Sequence, residues 1–424
     1  MRIVRAGAVA IALVGAACEG PDAHMTAPHG AESLARFTVI GGGFAMGVQT
    51  GGIVATSQAV GWPAQIAADA HVDFRQPLFR APGCSPPLAS PLLLGRWLSG
   101  GSTVSRDSSC AGTAGVVALP ADNLAIAGAT AWDALYLTPR IVTAASASYD
   151  ILDRLRYPAV LATTQSQETA MLVKSPTFIA VELGIGEVMR AATSGRVVTA
   201  AAYDQPSAWT LIPFALFAVQ FDAIADSLAK TRAKVAILSV PRITRFPAFR
   251  PAAQVWATRA ALDAFGVAVS ADCSGSSNVL HVATIVSALV QRAIATGARQ
   301  TLSCADVPGA ADNILTAADA GVIETTIDQI NARLAQVASA RGWAFASLDD
   351  TYAGMIADAA SYVPAWQQTC ASPYGSFISL DGIHPTGAGH RRIADAVAAA
   401  INATYGFALP SAGAALDLRA APCS

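Results

Sequence analysis

Short apolar runs separated by longer amphipathic segments dominate the pattern of hydrophobic and polar positions along the chain. Each run is nearly continuous and stops at a glycine, a proline or a polar residue, which is typical of buried parallel strands. The pattern predicts strands at residues 37–40, 124–126, 177–183, 235–240 and 343–348.

Helical periodicity fills much of the space between these runs. In the segment 316–341, Ile323, Ile327, Ile330, Leu334 and Val337 recur at three- and four-residue steps. Strands that alternate with helices favour a doubly wound α/β fold, in which a parallel sheet is covered on both faces and the site lies beyond the carboxyl ends of the strands. Helices are predicted at residues 62–70, 214–231, 316–341 and 387–405.

Two long segments interrupt this alternation. Residues 76–117 and 245–307 contain many Gly, Pro and Ser residues or cysteines, and we predict both as irregular excursions from the sheet. The chain shows no internal repeat and no linker after residue 35. We therefore expect one domain over residues 36–424, preceded by a flexible tether at residues 19–35.

The N-terminal residues have the layout of an export signal. Arg2 and Arg5 precede the apolar run 6–17, which ends in small residues before Cys18 and is too short to span a bilayer. The tetrapeptide ending at Cys18 resembles a bacterial lipoprotein box, although Gly15 stands where a leucine-like residue is usual. We predict that residues 1–18 direct export to the cell envelope or secretion, with lipid on Cys18 as a peripheral membrane anchor. A buried N-terminal helix or strand is the alternative.

The cysteine count agrees with export. The chain has seven cysteines, and an even set remains once Cys18 is removed, which suggests disulfides in an exported protein. Pairing between neighbours is the simplest arrangement because each pair brackets a loop-like segment; free buried thiols are the alternative. The predicted pairs are Cys84 with Cys110, Cys273 with Cys304, and Cys370 with Cys423.

Composition narrows the function classes. Hydrophobic residues make up 53% of the chain and charged residues 13%, so it can bury a large core. The formal net charge of −2 gives no basic excess for binding nucleic acid. The Cys and His spacings do not suggest zinc, and we predict no metal, no cofactor and a monomer.

An Asp and a His three residues apart are the most informative polar pair. Asp381 and His384 lie on a predicted loop before the last helix, where the carboxylate can fix the tautomer of the imidazole and stabilise its protonated form. A capping aspartate beside a surface histidine is the plain alternative.

The segment 381–385 (DGIHP) resembles the last signature block of the SGNH (GDSL-type) ester hydrolases, in which Asp and His complete a catalytic triad. Segments resembling the first, second and third blocks precede it in family order, at residues 40–67, 123–129 and 177–195. The resemblance implies a three-layer α/β/α fold of the flavodoxin-like SGNH type with disulfide-stapled loops. It also implies that Gly128 donates its backbone N–H to an oxyanion hole.

Two departures from the family pattern bear directly on chemistry. The nucleophilic serine of the first block falls on Gly43, and the oxyanion-binding asparagine of the third block falls on Gly186. Without a serine hydroxyl no acyl-enzyme can form. The expected function is hydrolysis of acyl esters, either impaired or carried by a water that His384 activates.

Two other functions remain open. The chain could be an inactive relative that binds a ligand or partner of the envelope in the old substrate cleft. The turn 41–43, which follows a strand, also resembles the start of a dinucleotide-binding unit, but Met46 stands where a third glycine is expected.

Overall fold

The computed structural model describes residues 27–88, 110–145, 149–203, 210–357 and 374–411. Its centre is a parallel sheet in the order β1-β2-β5-β11. Valine, isoleucine, alanine and phenylalanine dominate these strands, and most of their residues are buried, as parallel strands between two helical layers require. The four strands are β1 (Phe37–Gly41), β2 (Phe178–Glu182), β5 (Lys234–Leu238) and β11 (Ala344–Ala346).

The predicted strand at residues 124–126 is present only as a short pairing. Asn123 forms an isolated parallel bridge with Val39, and the N–H groups of Leu124 and Ile126 donate to the carbonyls of Val39 and Gly41. Together with this segment, the sheet has the flavodoxin-like order 2-1-3-4-5.

Smaller strands lie outside the central sheet. β6, β8 and β10 form an antiparallel sheet, while β3 pairs with β4 and β7 pairs with β9. Their bounds are β3 (Val198–Thr199), β4 (Thr210–Leu211), β6 (Phe249–Pro251), β7 (Val267–Val269), β8 (Val279–His281), β9 (Gln300–Leu302) and β10 (Ile314–Leu315).

Helices cover both faces of the sheet. α3 and α15 pack together on one face, and α7, α9 and α13 cover the other, so the three-layer α/β/α prediction is confirmed. The helices are α1 (Gly43–Met46), α2 (Ala55–Ala59), α3 (Trp62–Asp69), α4 (Ala131–Tyr136), α5 (Pro139–Ala144), α6 (Ile151–Val160), α7 (Gln167–Lys174), α8 (Gly186–Ser194), α9 (Phe214–Thr231), α10 (Ala252–Ala257), α11 (Arg259–Asp263), α12 (Val282–Thr296), α13 (Ala317–Arg341), α14 (Leu348–Ala357) and α15 (Gly387–Tyr405).

The prediction that residues 245–307 are irregular is wrong. The segment contains α10, α11 and α12, together with β6 to β9. In α12, Val282, Val286 and Val290 are buried at four-residue spacing, which is an ordinary amphipathic signal. Glycine and cysteine residues interrupt the periodicity on both sides of α12.

Two of the predicted disulfides are present. Cys84 bonds to Cys110, and Cys273 bonds to Cys304. The third predicted pair, Cys370 with Cys423, and the lipidation residue Cys18 lie outside the described residues. Within the described ranges, no helix combines the length and apolar character needed to cross a bilayer.

Candidate active site

Asp381 and His384 form a hydrogen-bonded pair on the loop that precedes α15. Asp381 Oδ2 lies 2.7 Å from His384 Nδ1, and Asp381 Oδ1 accepts the backbone N–H groups of Ile383 and His384, each at 2.9 Å. Burial opposes ionisation of this carboxyl, but His384 and the backbone donors outweigh it and lower the pKa of Asp381 to about 2. Asp381 is therefore a fixed anion that orients the imidazole.

A glycine-rich turn after α1 holds this carboxylate from the other side. Gly51 N–H donates to Asp381 Oδ2 at 2.5 Å. The Ser379 hydroxyl donates to Asp381 Oδ1 at 3.2 Å and accepts the N–H of Thr50 at 2.9 Å. Thr50 has a φ of 48°, a left-handed backbone conformation that is uncommon for a residue other than glycine. The Asp–His pair is thus tied to the segment that follows β1.

Gly43 lies directly against His384. A Cβ built on Gly43 would be 3.3 Å from His384 Nε2 and 3.4 Å from a methyl of Val48. Gly43 is the first residue of α1, at the carboxyl end of β1, and Phe44 contacts the His384 ring edge-on at 5.4 Å between centroids. The structure therefore brings the position that the sequence matches to a nucleophile beside the imidazole nitrogen that a base would use.

Gly128 and Gly186 also lie close together, and no room remains for a side chain on Gly186. Gly128 is exposed and has a φ of 84°, a left-handed conformation that suits glycine. A Cβ on Gly186 would lie 2.3 Å from the carbonyl oxygen of Ala129 and 3.1 Å from that of Gly128. The backbone of residues 128–129 fills the space that a side chain at residue 186 would need.

A buried glutamate supports this loop. Glu187 is fully buried on α8, and its Oε1 accepts the N–H of Ala131 at 2.6 Å, at the first residue of α4. Burial raises the pKa of Glu187 to about 8, because the hydrogen bond from Ala131 offsets only part of the desolvation. The Oε2 atom is buried without a partner among the described residues.

Glu187→Gln is expected to stabilise the protein at pH 8 more than at pH 5. In the unfolded chain Glu187 ionises above about pH 4.5, whereas in the folded chain it stays protonated until about pH 8, so wild-type stability falls across that window. The amide removes this loss, which is on the order of a few kcal/mol at most. Urea unfolding of both proteins from pH 4 to 9 measures the difference.

The exposed Glu32→Gln replacement is the matched control, and it should leave the pH dependence unchanged. A difference between wild type and Glu187→Gln that stays constant from pH 4 to 9 would contradict the assignment.

Several polar and aromatic residues outside the Asp381–His384 pair are already bonded or packed elsewhere. Ser57 is buried, and its hydroxyl bonds to Val54 of its own turn. Asp349 accepts hydrogen bonds from Arg242 and Arg245. Trp132 stacks on Tyr203 with 6.2 Å between ring centroids. The cluster of Asp272, Cys273 and Cys304 includes a disulfide, which removes both thiolates as metal ligands.

Sequence reasoning missed Glu182. This residue ends β2, and its side chain lies beneath the start of α1, with Oε2 accepting the N–H groups of Gly42 at 3.1 Å and Ala45 at 2.9 Å. Burial raises its pKa to about 7, despite both of these hydrogen bonds. A glutamate in an otherwise apolar strand was the available signal, because acidic residues are rarely buried without a specific partner.

No family model matches the chain, and no curated protein sequence does either. Among solved structures, an α/β hydrolase from the metagenome of Lake Arreo, LAE5, is 13% identical, covers 86% of this chain and 97% of its own, and gives a TM-score of 0.34. An extracellular lipase from Streptomyces rimosus is 14% identical, covers 87% of this chain and 98% of its own, and gives a TM-score of 0.32. A mutant acetyl-xylooligosaccharide esterase from Geobacillus is 11% identical, covers 68% of this chain and 73% of its own, and gives a TM-score of 0.29. At these values the neighbours identify neither an activity nor a substrate for this chain.

Proposed function

We propose that the protein is an exported hydrolase of acyl esters that uses a water molecule, activated by His384, in place of a serine nucleophile. The observation that carries the proposal is the position of His384: its Nδ1 is held by the ionised Asp381, and its Nε2 faces the space left by the missing side chain of Gly43. An imidazole oriented in this way is a general base for a molecule in that space.

The chemistry needs no group beyond these residues and water. His384 Nε2 takes a proton from the water as its oxygen attacks the ester carbonyl. The tetrahedral intermediate then expels the alcohol, which receives that proton from the imidazolium. The backbone N–H groups of Gly43 and Gly128 are the proposed donors to the oxyanion, and Gly186 supplies no side-chain donor.

The rate should be low. A site that lacks the nucleophilic serine keeps roughly 10³–10⁴ over the uncatalysed reaction when its oxyanion hole is complete. A missing oxyanion donor typically costs a further factor of about 10²–10³. Short acyl chains with good leaving groups, such as p-nitrophenyl acetate, are therefore the substrates on which activity should be seen first.

His384→Ala is expected to abolish whatever hydrolysis of p-nitrophenyl acetate the purified protein shows. Exposed histidines hydrolyse this reagent slowly by themselves, so His29→Ala, which removes an exposed imidazole, is the matched control and should keep the activity. Equal rates in wild type, His384→Ala and His29→Ala would exclude a role for His384 in catalysis.

A second function is favoured by a separate observation. The carbonyl oxygens of Gly128 and Ala129 crowd the place where the resemblance puts an oxyanion donor, and carbonyl oxygens repel a developing oxyanion. We therefore keep ligand binding without turnover as the second candidate. Export is supported by the two disulfides, which form and persist in oxidising compartments. The dinucleotide alternative gains no support, because α1 is a single turn of four residues.

A further inference from the structure

The helix that carries Gly43 is capped from a neighbouring strand. Several described helices begin at a Thr, Ser or Asp whose side chain accepts an N–H of the first turn, as Thr130 does for α4 and Thr386 does for α15. The corresponding residue of α1 is Gly42, which has no side chain. The N–H of Ala45, the third residue of α1, donates instead to Glu182 Oε2 from the neighbouring strand β2.

We infer that Glu182 is a positioning residue of the candidate active site, because it caps α1 in place of a side chain at residue 42. Glu182 binds the N–H groups of Gly42 and Ala45, which flank Gly43 in the chain, and so fixes the turn that presents Gly43 to His384 Nε2. The effects on catalysis that we expect rest on the proposed function. The hydrogen bonds that form the cap do not depend on it.

The Glu182 carboxyl occupies the space beside Gly42. A Cβ on Gly42 would lie 3.6 Å from Glu182 Oε1 and 3.8 Å from Oε2, which are ordinary contacts. A longer side chain at residue 42 would extend into the same space as the carboxyl. Only one of the two positions can therefore supply the cap, and here the glutamate does so.

Both N–H groups bind a single carboxyl oxygen, which makes the charge separable from the cap. The N–H of Gly42 also donates to the backbone carbonyl of Glu182 at 3.1 Å, so Ala45 is the donor that depends on the side chain alone. The amide oxygen of a glutamine can occupy the place of Oε2, and the NH₂ group then takes the place of Oε1. Glu182 is only 3% exposed. A carboxylate there places negative charge one residue from the Gly43 N–H and opposes charge that develops on a bound oxyanion. Burial raises the pKa of Tyr352 of α14, and the charges of Asp381 and Glu182 raise it further, so this hydroxyl keeps its proton over the same pH range.

Three variants separate the cap from its charge. Glu182→Ala removes the cap, Glu182→Gln keeps the cap without the charge, and the double change Gly42→Asn with Glu182→Ala returns the cap to residue 42. The readouts are kcat and KM for p-nitrophenyl acetate from pH 5 to 9, thermal unfolding, and the NMR titration of the His384 ring in protein labelled with ¹³C-histidine.

The expected results differ for each variant. Glu182→Ala should lower kcat about ten-fold or more with little change in KM, and should shift the His384 titration, because a displaced donor loses a factor of this order or larger. Glu182→Gln should remove the fall in kcat that an ionising Glu182 imposes, so that the rate at pH 8 rises several-fold above wild type. The double variant should recover most of what Glu182→Ala loses.

The inference fails if Glu182→Ala folds and leaves kcat, the pH profile and the His384 titration as in wild type. If Glu182→Ala does not fold, the other two variants decide: a double variant that does not recover folding, or a Glu182→Gln pH profile that is unchanged from wild type, would overturn the inference. If the wild-type protein hydrolyses no ester, the proposed function fails, but the histidine titration and the thermal unfolding still test the cap. Glu32→Ala, which removes an exposed carboxylate, should match wild type in every readout.

Discussion

Gly43→Ser is expected to raise ester hydrolysis by at least about 10³. A nucleophilic serine in a complete and well-fitted triad is worth about 10⁶ in kcat; the missing oxyanion donor lowers the rates of both proteins, and imperfect positioning of the new hydroxyl keeps the gain below that limit. The geometry accepts the change: the new Cβ would lie 3.3 Å from His384 Nε2, and a hydroxyl one bond further can hydrogen-bond to that nitrogen. The His384 side chain is 22% exposed and can move the few tenths of an ångström required. The measurement is kcat/KM on p-nitrophenyl acetate.

Three controls show whether the gain comes from the hydroxyl. Gly43→Ala adds the same Cβ without the oxygen and should give no gain. Gly43→Ser combined with His384→Ala should return to background. Gly115→Ser adds a hydroxymethyl group where no heavy atom lies within 4 Å and should behave as wild type. A folded Gly43→Ser protein that a fluorophosphonate does not label at position 43 would show that Gly43 does not occupy the place of a nucleophile.

The sequence predicted the parts of the fold that depend on local periodicity. The predicted helix 214–231 coincides with α9, and the predicted helix 387–405 coincides with α15, because continuous amphipathic patterns end there at clear signals. β1 and β2 were placed within about two residues for the same reason. In the segment 245–307, most elements are short and divided by glycine and cysteine residues, and the longer helix α12 was missed although its amphipathic pattern is ordinary.

In the candidate site, too, local contacts could be predicted from the sequence and contacts between distant segments could not. The spacing of Asp381 and His384 is local, and it predicted their hydrogen bond. The contact between His384 and Gly43 spans most of the chain, and only the resemblance suggested it. Nothing in the sequence could have given the support of Asp381 by Gly51, because that contact depends on how two distant loops pack.

Packing between distant segments also decides what surrounds Gly42 and Gly186. From sequence alone, the resemblance implies an asparagine at residue 186, and Gly42 carries no special signal. In the structure, the space beside Gly42 is used by Glu182, and the space beside Gly186 is used by the backbone of residues 128–129. The effect of adding a side chain at either glycine therefore depends on the atoms that fill the space beside it.

Gly186→Asn is expected to destabilise the protein by about 2–3 kcal/mol or more and to add no activity, even in a Gly43→Ser background. A Cβ at residue 186 would lie 2.3 Å from the carbonyl oxygen and 2.8 Å from the carbonyl carbon of Ala129. These are backbone atoms, so the clash cannot be relieved by a rotamer change, and overpacking of this kind typically costs about 1–3 kcal/mol. Moving the loop would also strain the hydrogen bond between Ala131 and Glu187. Chemical denaturation measures the loss.

Two matched variants locate the cause of that loss. Gly186→Ala carries the same Cβ and should lose nearly as much stability, since the clash lies at the first side-chain atom. Gly321→Asn adds the same side chain at a helical glycine of α13 with no heavy atom within 4 Å, and should be close to neutral. A Gly186→Asn protein as stable as wild type would mean that residues 128–129 give way. If it also raised the rate of the Gly43→Ser protein, the oxyanion hole would be closed only by a movable loop, and hydrolysis would be favoured over ligand binding.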